Sequence, residues 1–195
     1  MNLELKKAKR LLILGATRGI GLAFVQHISH HYPHIEIHAV HRKSSDLEKL
    51  KQVSKIKLYE IDVFNEEQIK NTLSEVSEFD IFINTVGVLH TSEIAPEKSL
   101  RDFNVEHSLE QFKVNALLTP LWAKYIRNYL PKDRASLFLC LSAKVGSIQD
   151  NHIGGWYSYR SSKSALNMLL KNISIEFKRS RIPAQVVAVH PGRSE

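Results

Sequence analysis

Short apolar runs alternate with longer amphipathic stretches along this chain. The apolar runs predict strands at residues 10–15, 34–41, 56–61, 79–84, 134–141 and 185–190. Between them, apolar residues at helical spacing predict helices near 19–31, 44–52, 66–77, 105–130 and 156–181. Strands that alternate with helices favour a parallel sheet with right-handed crossovers. We therefore expect an α/β fold, in which residues 1–195 form a single domain around one doubly wound sheet.

Two of the predicted helices carry clear sequence signals. Asn65 is a good N-cap for the helix near 66–77, and Gln68 follows three residues later in a capping-box arrangement. The N-terminal end of the last helix carries Tyr159 and Lys163. Further along, this helix has one apolar stripe, formed by Leu166, Leu169, Leu170, Ile173 and Phe177.

A glycine turn follows the first predicted strand. Residues 15–21 read Gly-Ala-Thr-Arg-Gly-Ile-Gly, between an apolar run and a predicted helix. Glycines let the backbone turn sharply and let a pyrophosphate approach, while a helix N-terminus favours an anion. The spacing is G-x3-G-x-G, which differs from the G-x-G-x-x-G of most dinucleotide-binding folds. A tight turn without a ligand is the alternative interpretation of this segment taken alone.

Tyr159 and Lys163 are the strongest candidates for chemistry. On a helix, residues i and i+4 lie on one face, so the phenol and the ammonium can share one pocket. A free phenol has a pKa near ~10, and a fixed neighbouring cation lowers it. Such a pair could transfer a proton to or from an alcohol or carbonyl oxygen. Tyr157 is a rival phenol, but only Tyr159 stands four residues before a lysine.

Further motifs follow the ends of the predicted strands, where ligands bind in a parallel sheet. These motifs are Asp62, Asn84-Thr85-Val86-Gly87, Asn115, Gly146-Ser147-Ile148 and His190-Pro191-Gly192. They form one set with the glycine turn, Tyr159 and Lys163. In this order and spacing, the chain resembles a short-chain dehydrogenase/reductase of the classical type, near the C-factor and sniffer-like carbonyl reductases. The resemblance covers essentially the whole chain and implies a three-layer, Rossmann-type fold.

The resemblance also implies a nicotinamide cofactor site. Asp62 and Val63 are expected to hold the adenine, and Asn84 and Gly87 are expected to line the floor of the groove. The full set of expected cofactor-binding residues is Gly15, Thr17, Arg18, Gly19, Ile20, Gly21, Arg42, Asp62, Val63, Asn84, Gly87, Pro191 and Gly192.

The residues after the second predicted strand favour NADP(H) over NAD(H). An acidic residue there would accept the ribose 2′-hydroxyl of NAD. This sequence has His41-Arg42-Lys43 at that point instead, and Arg18 in the glycine turn adds another cation. A guanidinium can bind a 2′-phosphate in a bidentate manner. An exposed basic turn without ligand contact is the alternative interpretation.

The resemblance assigns roles to the remaining polar residues. Tyr159 would be the acid/base that protonates the carbonyl oxygen, and Lys163 would lower its pKa and bind the nicotinamide ribose. Asn115 would bind a water that links Lys163 to solvent. A locally bonded asparagine inside a helix is the alternative for Asn115.

The substrate-binding serine of the family is not at its usual place. The family pattern puts it three residues before Gly146, where this chain has Ala143. Ser142 is adjacent, but neighbouring residues of a strand point to opposite faces, so a bulge or a local shift would be needed to re-aim it. Ser147 is another hydroxyl in this loop. We take Ser142 as the candidate; without any hydroxyl, the rate would fall on the order of 10²–10³-fold.

The chain ends soon after Pro191-Gly192. Family members continue with a substrate-covering segment and a seventh strand, so the resemblance implies that the last strand is lacking. We expect an open nicotinamide side and a sixth strand with an exposed edge. By resemblance only, helices 105–130 and 156–181 would form the face of a homodimer or homotetramer.

Composition argues against several other classes of protein. No apolar run approaches the ~18 residues of a membrane span, and the N-terminus lacks a signal-peptide pattern. A cytoplasmic location is therefore the default expectation. The single cysteine, Cys140, cannot form an internal disulfide. The ten histidines have no accompanying carboxylates or cysteines at metal-ligand spacing, so we expect no metal.

The net charge of +7 raises the question of nucleic-acid binding. The lysines and arginines are scattered, without a dense tract or an aromatic-interleaved patch, so we expect no nucleic-acid partner. The favoured function is an NADP(H)-dependent oxidoreductase acting on a carbonyl or alcohol substrate. The alternative is a catalytically weak dinucleotide-binding protein with a regulatory role.

Overall fold

Six parallel strands form one sheet in the computed structural model, which describes residues 4–42, 47–90 and 95–192. The strand order is β3-β2-β1-β4-β5-β6. The chain therefore leaves β3 at one edge and returns to the middle of the sheet beside β1. Ligands of open parallel sheets bind at this switch point, beyond the carboxyl ends of the strands. The strands are β1 (Arg10–Leu14), β2 (Glu36–His41), β3 (Ile56–Glu60), β4 (Ile81–Asn84), β5 (Ser136–Leu141) and β6 (Ala184–Val189).

Helices cover both faces of the sheet. The central strands are buried on both sides, which explains their nearly continuous apolar runs. One face of β1 packs with α1 and α2, and the opposite face packs with α3, α5 and α6. The helices are α1 (Gly19–His31), α2 (Glu48–Lys51), α3 (Glu66–Val76), α4 (Val105–Phe112), α5 (Leu118–Ile126) and α6 (Tyr157–Arg179).

A π-helical turn, Lys113–Leu117, joins α4 directly to α5. The sequence predicts one regular helix over 105–130, whereas the helical rod contains this wider turn and ends at Ile126. A π turn holds one more residue than an α turn, so it shifts the faces of the two helices relative to each other. Asn115 is the middle residue of the turn, and its side chain is buried.

The predicted strands are confirmed, with ends that differ by a few residues at most. The helix predicted at 44–52 is present as Glu48–Lys51, while Lys43 and residues 44–46 lie outside the described residues. Asn65 caps α3 as expected, by accepting from the amides of Glu67 and Gln68. Gln68 does not complete a capping box. Its Oε1 accepts from the amide of Asp62 instead, at 2.8 Å.

The amino ends of the strands are joined by buried ionic contacts. Asp80, just before β4, is 2% exposed. Its carboxylate accepts from the amides of Lys9 and Arg10 at 2.7 and 3.2 Å, and from Arg134 Nε at 2.8 Å. Arg134 also pairs with the half-exposed Glu78 at 2.6 Å. This network fixes the edge of the sheet that faces away from the candidate site.

Candidate active site

The glycine turn between β1 and α1 is packed tightly on one side and open on the other. A Cβ on Gly21 would overlap the Gly15 carbonyl oxygen, and one on Gly15 would come within 2.7 Å of Thr85 Oγ1. Thr85 in turn donates to the carbonyls of Leu14 and Gly15 at 2.8 and 3.1 Å. Gly19 has φ +53° and nothing within 4 Å of its would-be Cβ. The turn therefore leaves an open backbone surface at the N-terminus of α1, which fits a pyrophosphate.

Thr17, Arg18 and Ile20 surround this open surface. Arg18 is the N-cap residue of α1 in extended conformation, and its side chain is exposed. Thr17 and Ile20 are half-buried beside it. The N-cap makes no side-chain hydrogen bond, so the first amides of α1 are not capped by the residue before them. Free amides and a cation at one helix end suit an anionic ligand.

Arg42 follows β2 and is exposed, while its neighbour His41 is buried. His41 Nδ1 lies 3.1 Å from the Arg42 carbonyl oxygen. Neither Arg18 nor Arg42 forms an ion pair with any described residue. Arg18 and Arg42 are therefore two exposed cations without carboxylate partners among the described residues. Lys43, the third cation expected here, lies outside the described residues.

Asp62 and Val63 form the turn after β3. Asp62 Oδ1 accepts from the Phe64 amide at 2.9 Å, so the carboxylate is already shaped into a local turn. The Val63 carbonyl accepts from Trp122 Nε1 at 2.9 Å. Asp62 remains exposed, and its second oxygen has no partner among the described residues. An adenine donor could reach that oxygen without breaking the turn.

The segment after β4 forms the floor between the two halves of the sheet. Asn84 Nδ2 donates to Thr119 Oγ1 at 3.1 Å, and Asn84 Oδ1 accepts from the Val86 amide at 2.9 Å. A Cβ on Gly87 would lie 3.3 Å from both Asn115 Oδ1 and Lys163 Nζ. The absence of a side chain at Gly87 thus leaves room for both of these polar groups.

Asn115 joins this floor to α6 through three hydrogen bonds. Its Oδ1 accepts from the Val88 amide, and its Nδ2 donates to the Val88 carbonyl, both at 2.8 Å. Nδ2 also donates to Ser162 Oγ at 3.1 Å. Ser162 donates in turn to the Tyr159 carbonyl at 2.9 Å. The π turn presents this amide inward, as π turns often do at functional sites.

Tyr159 and Lys163 lie on one face of the first turns of α6, as their spacing predicts. Lys163 Nζ is 5.8 Å from the centroid of the Tyr159 ring and donates to the Leu141 carbonyl at 2.9 Å. The Tyr159 hydroxyl has no hydrogen-bond partner among the described residues and is therefore available to a ligand. Trp156 packs edge-on against the Tyr159 ring, with 6.1 Å between the centroids.

Burial controls the proton affinities of this pair. Desolvation lowers the pKa of the Lys163 ammonium to about 8, because the side chain is only 3% exposed. Desolvation also raises the pKa of the Tyr159 phenol above its ordinary value. The sequence-based expectation that Lys163 lowers the Tyr159 pKa is therefore not met by the protein alone. Lys163 Nζ donates to Leu141 and lies over the ring rather than at the hydroxyl.

The Ser142 hydroxyl is directed toward α6. It donates to Asn167 Oδ1 at 2.7 Å, and the side chain is buried. β5 ends at Leu141 without a bulge in its pairing with β6, so the alternation of the strand carries into Ser142. The half-buried Ala143 occupies the next position and has no hydroxyl. Ser147 is exposed and accepts from the Asp150 amide. This geometry weighs against Ser142 as the donor to a substrate oxygen.

Pro191 and Gly192 follow β6 at the same edge of the sheet as the other motifs. Both are exposed, and Gly192 has φ +81°, a conformation that favours glycine.

The described residues contain no group of three or more His, Cys, Asp or Glu side chains that could hold a metal ion. Among the helices that the structure describes, none is long and apolar enough to cross a membrane.

Sequence reasoning missed one buried carboxylate at this site. Glu97, in the loop before α4, is 4% exposed and binds the first turn of α6. The loop has no hydrophobic periodicity, and a glutamate there looks like any surface residue.

Known proteins resemble this chain along nearly its whole length. A sequence model of the family described as short chain dehydrogenase matches residues 9–195. Benzil reductase ((S)-benzoin forming) of Bacillus subtilis is 26% identical over 190 residues, which are 93% of this chain and 72% of that protein. Among solved structures, the carbonyl reductase Sniffer of D. melanogaster superposes with a TM-score of 0.82 at 25% identity, covering 94% of this chain and 80% of that one. The NADPH-bound carbonyl reductase from chicken fatty liver gives a TM-score of 0.76 at 25% identity, over 94% and 75% of the two chains.

A parallel sheet with a glycine turn at its switch point, and a Tyr/Lys helix beside it, defines a Rossmann-type oxidoreductase. The chain belongs to the short chain dehydrogenase family.

Proposed function

We propose that this protein is an NADP(H)-dependent carbonyl reductase in which Tyr159 is the acid/base. The observation that carries the proposal is the pairing of Tyr159 with Lys163 beside an open glycine turn. The phenol hydroxyl is unpartnered within the described residues, and the ammonium lies over its ring, 5.8 Å from the centroid. The Tyr159/Lys163 pair and the glycine turn both lie where the carboxyl ends of the strands meet.

The cofactor site fits NADP(H) better than NAD(H). Gly19 leaves open space at the N-terminus of α1, and Arg18 and Arg42 are exposed cations without carboxylate partners among the described residues. A carboxylate at the end of β2 would serve NAD, and His41 stands there instead. The resemblance to an NADPH-bound carbonyl reductase supports the same choice. When bound, the reduced nicotinamide supplies the hydride for the carbonyl carbon.

Side chains of the protein donate the proton and stabilise the charge that its transfer leaves. Burial keeps the Tyr159 phenol protonated at neutral pH, so it can donate to a carbonyl oxygen that gains negative charge. The Lys163 ammonium, with a pKa of about 8, still carries its charge at pH 7 and stabilises the phenolate that results. Asn115 fixes the Val88 backbone and Ser162, which keeps the floor and α6 in register.

The substrate class we propose is an aromatic or other apolar carbonyl compound. The Trp156 ring is 37% exposed and packs against the Tyr159 ring, so an aromatic surface borders the phenol. A flat apolar group could stack there while its carbonyl faces the hydroxyl. The relative from B. subtilis is named for benzil, an aromatic diketone, which makes benzil a suitable first substrate.

The test is NADPH oxidation by the purified protein with a panel of aldehydes, ketones and quinones that includes benzil. We expect turnover, with kcat reduced at least 10²-fold in Tyr159→Phe and little changed in the neighbouring control Tyr157→Phe. Arg42→Ala should raise the KM for NADPH about tenfold and leave the KM for NADH unchanged. NADPH oxidation that survives Tyr159→Phe would contradict the proposed mechanism, and equal effects of Arg42→Ala on both cofactors would contradict the proposed preference.

One observation favours a second candidate function, a dinucleotide-binding protein with weak catalysis. Ala143 has no hydroxyl, and the Ser142 hydroxyl donates to Asn167. Tyr159 is then the only side-chain donor we assign to the substrate oxygen. Tight NADPH binding without turnover of any carbonyl in the panel would support this candidate instead.

A further inference from the structure

A chain of three side chains connects the loop before α4 to the first turn of α6. Glu97, Ser158 and Ser108 are all buried, with 4%, 1% and 9% exposure. Ser158 Oγ donates a hydrogen bond to Glu97 Oε1, and Ser108 Oγ lies 2.5 Å from Ser158 Oγ. Ser158 Oγ donates to Glu97 Oε1, and since this uses its single proton, Ser108 donates to Ser158. Both hydroxyl protons of these two hydrogen bonds are therefore directed toward Glu97.

Glu97 also replaces the missing cap of α6. The N-cap residue, Trp156, makes no side-chain cap bond. The Ser158 amide, an orphan donor of the first turn, is 3.3 and 3.4 Å from the two Glu97 carboxylate oxygens. No described lysine, arginine or histidine pairs with Glu97, so the N-terminal end of α6 and the serine hydroxyls compensate its charge.

The backbone of Glu97 fixes the approach to α6 as well. Gly154, Gly155 and Trp156 have φ values of +73°, +64° and +51°. Such a conformation persists at a tryptophan only where the surroundings determine it. Here the Trp156 amide donates to the Glu97 carbonyl at 2.6 Å, and a Cβ on Gly155 would lie 3.3 Å from the same oxygen. One residue therefore contacts both the left-handed segment and the first helical turn.

We propose that Glu97 is a positioning residue for the catalytic helix: it sets where Trp156 and Tyr159 stand at the site. Tyr159 directly follows Ser158, and the Trp156 ring contacts the Tyr159 ring. Loss of the carboxylate frees the first turn of α6 and shifts the phenol relative to the floor formed by Asn115 and Gly87. A displacement of about 1 Å at a reacting group can lower a rate on the order of 10²-fold.

This proposal rests on the proposed role of Tyr159, and its test separates the two. The variants are Glu97→Ala, Glu97→Gln and a surface control on α4, Glu110→Gln. We expect Glu97→Ala to lower kcat on the order of 10–100-fold with the KM for NADPH within about twofold of wild type. Glu97→Gln keeps an acceptor oxygen for Ser158 and should restore kcat to within about threefold. Glu110→Gln should behave as wild type.

Tryptophan fluorescence tests the same proposal without activity. The chain has two tryptophans, and Trp122 is fully buried, so acrylamide quenching reports Trp156. We expect a larger quenching constant in Glu97→Ala than in wild type, and an unchanged one in Glu110→Gln. If Glu97→Ala does not fold, Ser158→Ala carries the test, because it removes the hydroxyl that bonds Glu97; we expect lower kcat and increased quenching.

Three outcomes would overturn the proposal. One is kcat and quenching in Glu97→Ala equal to those of wild type. Another is a large rise in the KM for NADPH with kcat unchanged, since that would place Glu97 in cofactor binding. The third is failure of Glu97→Gln to restore kcat in a folded protein. A wild-type protein without turnover contradicts the proposed function, and the quenching result then still decides whether Glu97 positions Trp156.

Discussion

A single missing hydroxyl is the clearest departure of this chain from its family. Ala143 stands where the family pattern expects a serine, and the Ser142 hydroxyl donates to Asn167. The alternation of side chains along a strand already predicted that Ser142 would face away. What the sequence could not show is the partner: Asn167 lies one helical turn beyond Lys163, and only the folded helix brings it to Ser142.

Ala143→Ser should restore the missing donor and raise kcat by about 10- to 10³-fold, because one donor to a developing oxyanion contributes that much. Ser142→Ala should change kcat less than about threefold. Steady-state kinetics with NADPH and a saturating carbonyl compound check both. A strong loss in Ser142→Ala, together with no gain in Ala143→Ser, would instead identify Ser142 as the donor.

Lys163 is a residue at which function and stability oppose each other. Lys163→Met should abolish detectable turnover and raise the free energy of unfolding at pH 7 by up to about 3 kcal/mol, since each unit of lowered pKa costs about 1.4 kcal/mol. The folded pKa of about 8 lies below the ordinary 10.5, so the unfolded chain binds the proton more strongly. Wild-type stability therefore rises between about pH 8 and 10.5, and the advantage of Lys163→Met disappears there.

Urea unfolding at pH 7, 9 and 10 measures this difference, with the exposed Lys171→Met on the same helix as the control. The control should show no such pH dependence. A Lys163→Met protein that is less stable than wild type at pH 7 would mean that the bond to the Leu141 carbonyl outweighs the burial of the charge.

Among the elements, the strands were predictable and the irregular segments were not. The apolar runs of four and five residues in β1 and β5 were recognisable in the sequence, because a strand with helices on both faces has little polar side. The π turn at Lys113–Leu117 has ordinary helix-compatible residues, so no local signal marks it. Its cause is tertiary: the Asn115 amide bonds both backbone groups of Val88. The burial of Glu97 could not be predicted either, because it also depends on tertiary contacts.

The amino ends of the strands should be sensitive to the loss of one carboxylate. Asp80→Ala should destabilise the protein by about 3–5 kcal/mol, because it leaves the Arg134 guanidinium and two amides without their buried acceptor. Glu78→Ala removes a half-exposed partner of the same arginine and should cost less than about 1 kcal/mol. Chemical denaturation at pH 7 compares the two. Equal losses would mean that Asp80 contributes no more than a surface ion pair.

At the scale of the whole molecule, the carboxyl ends and the amino ends of the strands have different roles. The motifs expected to bind the cofactor and substrate lie at the carboxyl ends of the strands, and the Asp80 network lies at the amino ends. The alternation of strands and helices was enough to predict which residues lie together at the carboxyl ends. Distances there, such as Lys163 Nζ over the Tyr159 ring, depend on packing between helices and had to come from the structure.

Because the proposed cofactor residues come from both halves of the sheet, we expect NADPH to stabilise the whole fold. At about 100 times its Kd, a ligand adds roughly 2.7 kcal/mol, which corresponds to a rise in Tm of about 5–10 °C for a protein of this size. NADH at the same concentration should give a smaller shift. Differential scanning fluorimetry measures both. The absence of any shift with either cofactor would contradict the proposed dinucleotide site.

The π turn between α4 and α5 has a consequence for anyone who exchanges segments between this protein and its relatives. The extra residue offsets the two helices, so their side chains follow different phases before and after Lys113–Leu117. A chimera joined inside this turn that gains or loses one residue would rotate all of α5, moving Trp122 out of the core. Crossover points for recombination libraries therefore belong in the loops on either side of the α4–α5 rod.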